Sequence, residues 1–363
     1  MSELYIGLMS GTSGDGVDAS LVQTNGGDVF HNIADFYLPY PDELRGKLFN
    51  FFDNIASYLA IEKALTEYHV EAVRQLLNRG NYKNSDIKAL GFHGHTVYHD
   101  PKNNSTWQAG NPHLLAQATG IDVIHDFRRR DLSLGGNGAP LVPIFHKYIV
   151  KDYTVPVAII NIGGVANITY VDNIAGKLIA FDTGPGNALI NDATLKYYNQ
   201  KYDDAGKIAT TGAVDRSVVN SFFEHEYFKK SYPKSLDRNI FKFLLDSLNT
   251  YAAADIIATL TYITAGTIAQ AIEILPQNPE KVFLCGGGSK NLRLVGWLKE
   301  ILLQGSINCE IENIDAVLGL NADYVESQAF GYLAARFIHN LPSSFPETTG
   351  VSKSSICGCL VTK

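Results

Sequence analysis

The chain has 363 residues, 45% of them hydrophobic and 18% charged, with a formal net charge of −7. That length and apolar share call for two domains, or one domain with a large insertion, and leave little room for long disorder. The negative balance excludes a nucleic-acid binder held by a broad basic face, and ATP-sized anions would need local donors instead of the overall field.

Taken in chain order, residues 4–9 form a first apolar strand. Gly11, Gly14 and Gly16 make a sharp connection, after which Val17, Ala19 and Leu21 alternate with Asp18 and Ser20. A period of two with one apolar face predicts a hairpin with a wide polar turn. His93 and His95 follow in GFHGHTVYH, and core burial is as good a reading for both as ligand binding.

Arg128, Arg129 and Arg130 are the densest positive charge and open RRRDLSLGGNGAP, a hinge-like stretch that divides the chain into residues 1–130 and 131–363, with the helix near 326–340 able to pack back on the first domain. VAIINIGGVANITYV repeats the hairpin form with Gly163 and Gly164 at its bend. Residues 178–181 are a short apolar strand, and Asp182 follows at its end before a Gly-Pro-Gly turn. Residues 252–275 carry apolar positions at helical spacing up to Pro276, and a second such helix covers residues 326–338. Between them KVFLCGGGSKNLRLVGWL places Gly286, Gly287 and Gly288 after a buried strand, with Asn291 opening a helix. Strands alternating with helices make the class α/β.

No run reaches the roughly 18 apolar residues that a bilayer span needs, and the start MSELYIG lacks a leader's basic and apolar regions. Cys285, Cys309, Cys357 and Cys359 are too few and scattered for a disulfide framework, which points to a reducing, cytoplasmic setting. Cys357 and Cys359 lie in a polar tail without a second ligand pair, so no zinc site is expected.

A phosphate chain needs donors aimed at it and no side chains in the way, and successive backbone N–H groups of glycine turns meet both needs. Three such turns in one order are stronger evidence than any one of them. No Gly-Lys-Ser/Thr completes a Walker loop, and no GxGxxG with an acidic ribose partner is present. What remains is the class with two phosphate hairpins and an adenosine loop, shared by actin, hexokinase and Hsp70.

The segments GLMSGTSGDGVDASLV, DFRRRDLSLGGNGAPLVP, NIGGVANITY, FDTGPGNALIND, CGGGSKN and ESQAFGYLA resemble the signature blocks of the anhydro-N-acetylmuramic acid kinase family. The resemblance implies a two-domain actin-like ATPase fold with an interdomain cleft. It implies a kinase that opens the 1,6-anhydro ring with water and phosphorylates O6 with ATP and Mg²⁺, in cell-wall recycling. It also implies a homodimer with a small amino-sugar substrate and no nucleic-acid or membrane partner.

Carried over block by block, Gly11, Thr12, Ser13, Gly14, Asp15, Gly16, Val17 and Asp18 would line the ATP phosphates. Gly163 and Gly164 would form the second phosphate turn, and Gly286, Gly287 and Gly288 would lie near the adenosine. Asp182 would be the catalytic base; its position alone leaves a turn or capping role equally open. Glu326, His95, Thr96 and Asn187 would contact the sugar, and one of Arg128, Arg129 or Arg130 would pair with its lactyl carboxylate. Asp15 would hold Mg²⁺ through water or simply shape the turn.

The chain departs from the family pattern at Gly14, where a larger apolar residue is common, and at His95, where Gln is usual. Asn111 stands where Asp is frequent, and Asn137 where Gln is. These changes leave the ATP turns intact and bear on the sugar and the metal. Two other readings are another sugar or small-acid kinase of the same fold, and a nucleotide-gated binding module. The polar tail after residue 345 disfavours the module.

Overall fold

In the computed structural model, described for residues 2–11, 13–48, 55–237, 239–315 and 320–363, the chain opens on the expected hairpin. β1 (Glu3–Ser10) turns into β2 (Gly16–Thr24), which continues to β3 (Phe30–Pro39). Helix Ile55–Gly80 then leads to β4 (Ile87–Asp100), β5 (Ser105–Ala109) and β6 (Val123–His125). The sheet order is β3-β2-β1-β4-β6, with strand Cys359–Val361 beyond β6 and β5 folded back on β4. β1 is antiparallel to β2 and parallel to β4, and β4 is parallel to β6.

Alternation along β1 decides what covers each face. Ile6 and Leu8 are buried with Leu65, Val73 and Leu76 of helix Ile55–Gly80. Gly7, between them, faces helix Val325–Ile338 so closely that a Cβ there would lie 1.8 Å from the Ser327 carbonyl oxygen. Gly91 of β4 meets the same helix, where a Cβ would sit 2.0 Å from the Phe330 carbonyl oxygen. Only glycine lets a helix backbone rest on the sheet at that distance.

The second sheet is built from β7 (Val157–Ile162), β8 (Val165–Asp172), β9 (Lys177–Pro185), β10 (Lys281–Cys285) and β11 (Glu310–Asn313). Its order is β9-β8-β7-β10-β11. β7 is antiparallel to β8 and parallel to β10, and β10 is parallel to β11. Strand for strand, this is the pattern of the first sheet. Ile160, Ile162, Ile168 and Phe181 pack with Ile256, Leu260 and Ile263 of helix Ala253–Glu273.

That helix corrects one expectation. It is long and apolar enough to cross a bilayer, contrary to the sequence reading. Its apolar surface is instead covered by its own unit, with Ile256 through Ile272 largely buried.

The chain divides into one unit of Met1–Tyr148 with Tyr324–Lys363, and another of Ile149–Asp323. The boundary expected at residue 130 therefore moves to 148. The stretch taken for a hinge is tied into the first unit, where fully buried Asp131 accepts from the Gly138 amide at 2.6 Å and Thr349 Oγ1 at 2.6 Å. The stretch after residue 345, read as a polar tail, is also structured. Val351 and Cys357 are buried, and strand Cys359–Val361 pairs with Val123–His125.

Candidate active site

The first glycine turn belongs to the first unit and is braced from below. Gly14 donates its amide to the Gly11 carbonyl at 3.0 Å and takes a φ of +59°, which explains a glycine where a larger residue was expected. The Asp15 carbonyl accepts from the Tyr40 amide at 2.9 Å and the Tyr37 hydroxyl at 2.8 Å. Arg45 Nε donates to the Gly14 carbonyl at 3.2 Å. Ser13 Oγ donates to Asp15 Oδ1 at 2.8 Å, and both side chains are exposed. Thr12, assigned to this turn, lies outside the described residues. Nothing local in the sequence marks Tyr37, Tyr40 and Arg45, because they come from β3, the residue that follows it and the helix after that.

Under the turn, Tyr40 donates to Ser10 Oγ at 3.0 Å, and Ser10 Oγ stands 3.1 Å from Nδ1 of His95. Burial pushes the His95 imidazole down to about 4 and the Tyr40 phenol well above its usual range. His95 is thus a neutral, core-facing histidine joined to the hairpin. Thr96 next to it is half-buried and accepts from Gln108 Nε2 at 3.3 Å. Asn111 caps helix Pro112–Thr119 through the Leu114 amide at 3.0 Å, which Asp would do as well. Asn137 is fixed by its amide on the Thr349 carbonyl at 2.7 Å.

The three arginines separate clearly. Arg128 donates to His93 and to the Gly138 carbonyl, the latter at 2.8 Å. Arg129 is 60% exposed and pairs with Asp126, and Arg130 is exposed. Glu326 stands half-buried in the first turn of helix Val325–Ile338.

In the second unit the other two glycine turns come together. The Gly163 and Gly164 carbonyls accept from the amides of Asn187 (2.7 Å) and Gly186 (3.0 Å). Gly286 has φ +76°, and a Cβ on it would fall 2.3 Å from Asn161 Oδ1. A Cβ on Gly288 would fall 2.2 Å from Ile162 Cγ2. Asn187, expected at the sugar, donates Nδ2 to the Ile162 carbonyl at 2.9 Å and lies against Gly287 and Gly288. The structure therefore places it between the two turns. Beside the third turn, Ala205, Lys207, Thr210, Leu292 and Arg293 line an open pocket that the sequence did not flag. It arises where helices from distant parts of the chain meet, so no contiguous motif encodes it.

Asp182 differs in placement from the expectation. It sits inside β9, opposite Asn167 of β8, and not at the strand's end, because the strand continues through Pro185. The helix that follows is entered through Asn187, so Asp182 does not cap it. Buried to 9% exposure, Asp182 is bonded on amide, carbonyl and carboxylate. Leu236 N–H donates to its Oδ2 at 2.7 Å.

Two units that share one strand order, each with a glycine turn after its first strand, define an actin-like ATPase fold. The family model of anhydro-N-acetylmuramic acid kinase matches residues 3–363. An anhydro-N-acetylmuramic acid kinase of Rhodopseudomonas palustris (strain BisB18) is 43% identical over 358 residues, covering 95% of this chain and 96% of that protein. The protein of that name from Rhodopseudomonas palustris (strain HaA2) is 41% identical over 359 residues, covering 96% of each. The chain belongs to the anhydro-N-acetylmuramic acid kinase family.

Proposed function

We propose that this chain is an ATP-dependent kinase that hydrolytically opens the 1,6-anhydro ring of 1,6-anhydro-N-acetylmuramic acid and phosphorylates O6, yielding N-acetylmuramic acid 6-phosphate. The observation that carries this reading is the family match along nearly the whole chain. The burial and fixed carboxylate of Asp182 support its role.

In this reading Asp182 accepts the proton of the water that attacks the anomeric carbon, since water is a poor nucleophile until that proton has somewhere to go. The C1–O6 bond breaks with its electron pair on O6, which then takes the γ-phosphoryl group as the bond to the β-phosphate breaks and ADP leaves. The turn at residues 11–18, the Gly163 and Gly164 bend and Gly286, Gly287 and Gly288 supply backbone donors to the nucleotide. The pocket lined by Lys207, Leu292 and Arg293 takes the adenosine. Arg128 faces the sugar's carboxylate, with Thr96 and Glu326 on its hydroxyl and amide groups.

Among the described residues no cluster of three metal-ligating side chains occurs, while Asp15 presents an exposed carboxylate at the phosphate turn. That donor set fits Mg²⁺, which keeps several waters and borrows phosphate oxygens. When bound, Mg²⁺ neutralises charge on the phosphates; Asp15 would orient its water shell. A homodimer in the cytoplasm completes the proposal, to be checked by sedimentation and fractionation.

The test is a phosphorylation assay on the anhydro sugar, its ring-opened form and common hexoses, with Asp182→Asn beside the wild type. Turnover on the anhydro sugar should fall by about 10²–10⁴-fold in the variant, with nucleotide binding and melting temperature retained. Near-normal turnover with a lowered melting temperature would make Asp182 a structural residue of β9. Preference for a plain hexose would assign the chain a different substrate.

A further inference from the structure

β9 is the edge strand of its sheet, so the backbone groups pointing away from β8 need partners. At Asp182 they are supplied by one stretch of chain some fifty residues later. The Lys234 carbonyl accepts the Asp182 N–H at 3.0 Å, and the Tyr227 hydroxyl donates to the Asp182 carbonyl at 2.5 Å. The third contact, from the Leu236 amide to Oδ2 at 2.7 Å, goes beyond covering an edge because it fixes the carboxylate itself.

The stretch is also fastened to itself. Lys234 Nζ donates to the Tyr227 carbonyl at 3.4 Å and stands 4.6 Å from the Tyr227 ring centroid. Tyr232 stacks on Phe181, the neighbour of Asp182, with ring centroids 5.2 Å apart. A buried ammonium is costly unless its contacts matter, and here burial pulls the Lys234 pKa down.

We propose that Tyr227, Lys234 and Leu236 form a clamp whose function is to position the Asp182 carboxylate for proton abstraction. The proposal rests on the catalytic reading of Asp182 given above. Tyr227 holds the backbone, Leu236 holds one carboxylate oxygen, and Lys234 keeps the two from drifting apart. They are positioning residues: each acts through Asp182.

The clamp has a chemical signature. An amide donor on Oδ2 stabilises the ionised carboxylate, so losing it makes the group easier to protonate. The titratable groups of the clamp are the Tyr227 phenol, which feels the Asp182 charge, and the Lys234 ammonium, which lies against Tyr227, while β8 presents Asn167. Burial and the Asp182 charge keep the phenol protonated far above neutrality. The acid limb of activity therefore reports on the carboxylate.

The experiment measures kcat, both KM values and the pH profile of kcat/KM for Tyr227→Phe, Lys234→Met and Leu236→Pro, with Asp182→Asn in parallel. Tyr227→Phe and Lys234→Met should lower kcat by about tenfold or more, with KM for ATP within about twofold of wild type, because a misplaced catalytic group costs turnover first. Leu236→Pro, which removes the amide donor, should move the acid limb to higher pH. If Leu236→Pro does not fold, the other two variants decide. Wild-type kcat in both, with only a lowered melting temperature, would reduce the clamp to an edge cover. Full activity in Asp182→Asn would overturn the catalytic reading itself, whereas its loss beside a normal Tyr227→Phe and Lys234→Met would overturn the clamp alone.

Discussion

Arg128 donates both Nε, at 3.1 Å, and Nη2, at 2.8 Å, to the same Nε2 of His93. His93 Nδ1 is 2.8 Å from the Gly94 carbonyl, so Nδ1 carries the proton and Nε2 presents its lone pair to the guanidinium. Burial and the Arg128 charge both hold His93 neutral. Together with the Gly138 carbonyl, this imidazole fixes the plane of one guanidinium while Arg129 remains at the surface. Arg128→Lys keeps the charge but loses the fork, and should raise KM for the sugar by about tenfold or more while KM for ATP holds. Arg129→Lys and Arg130→Lys should be near wild type in the same steady-state assay. An unchanged sugar KM in Arg128→Lys would move the carboxylate contact elsewhere.

Acid should unfold this protein earlier than its carboxylates alone would. Burial depresses His69 and His95 to about 4 and His146 to about 3, below the ordinary 6.5. Above pH 6.5 neither folded nor unfolded histidine is charged, so these groups leave stability untouched. Between 6.5 and 4 the unfolded chain takes up protons that the folded one refuses, and each group removes about 1.4 kcal/mol per pH unit. His69 bonds the Leu65 carbonyl through Nδ1 at 2.8 Å, and its buried Nε2 has no partner among the described residues. His69→Gln should flatten the denaturant midpoint against pH across that window. A variant curve parallel to wild type would refute the assignment.

Gly286 of the third glycine turn tolerates no side chain. With φ at +76° and Asn161 Oδ1 2.3 Å from where a Cβ would be, Gly286→Ala combines backbone strain with a collision. It should cost about 1–3 kcal/mol of stability. KM for ATP should rise while sugar binding, measured calorimetrically without nucleotide, persists. An ATP KM equal to wild type would detach this loop from the nucleotide.

Asp131→Ala should be among the more damaging single changes in the first unit. The carboxylate is fully buried and accepts from the Gly138 amide, Thr349 Oγ1 and Ser344 Oγ. Truncation leaves those donors buried and unpaired, at about 1–3 kcal/mol each before relaxation. The urea midpoint should fall sharply, and the sugar KM should rise because Gly138 also holds Arg128. A midpoint within error of wild type would show that water replaces the carboxylate.

Much of this could be read before any coordinates. Alternation at Val17, Ala19 and Leu21 gave β2, and the glycines at 163–164 and 286–288 marked turns that do meet. Asn291 caps its helix as its type and place suggested, by accepting the Leu294 amide at 3.0 Å. What escaped is long-range. Asp182 looked terminal because Gly184 and Pro185 lack strand propensity, yet pairing with β8 carries the strand through them. The partners of Asp182 lie 45 to 54 positions away in a stretch with no periodicity at all. The arginine run likewise read as one cluster, and only tertiary contacts single out Arg128.

The segregation of residues into Met1–Tyr148 with Tyr324–Lys363, and Ile149–Asp323, has a consequence for synthesis. The second unit is one unbroken stretch and can fold as soon as it leaves the ribosome. The first sheet, although made first, must wait, because β1 and β4 carry glycines where helix Val325–Ile338 belongs. At a few residues per second to about twenty, those backbone grooves stay open for ten seconds or more before the helix arrives. The half of the molecule that is translated first is therefore completed last, and that interval is when it most needs protection from aggregation.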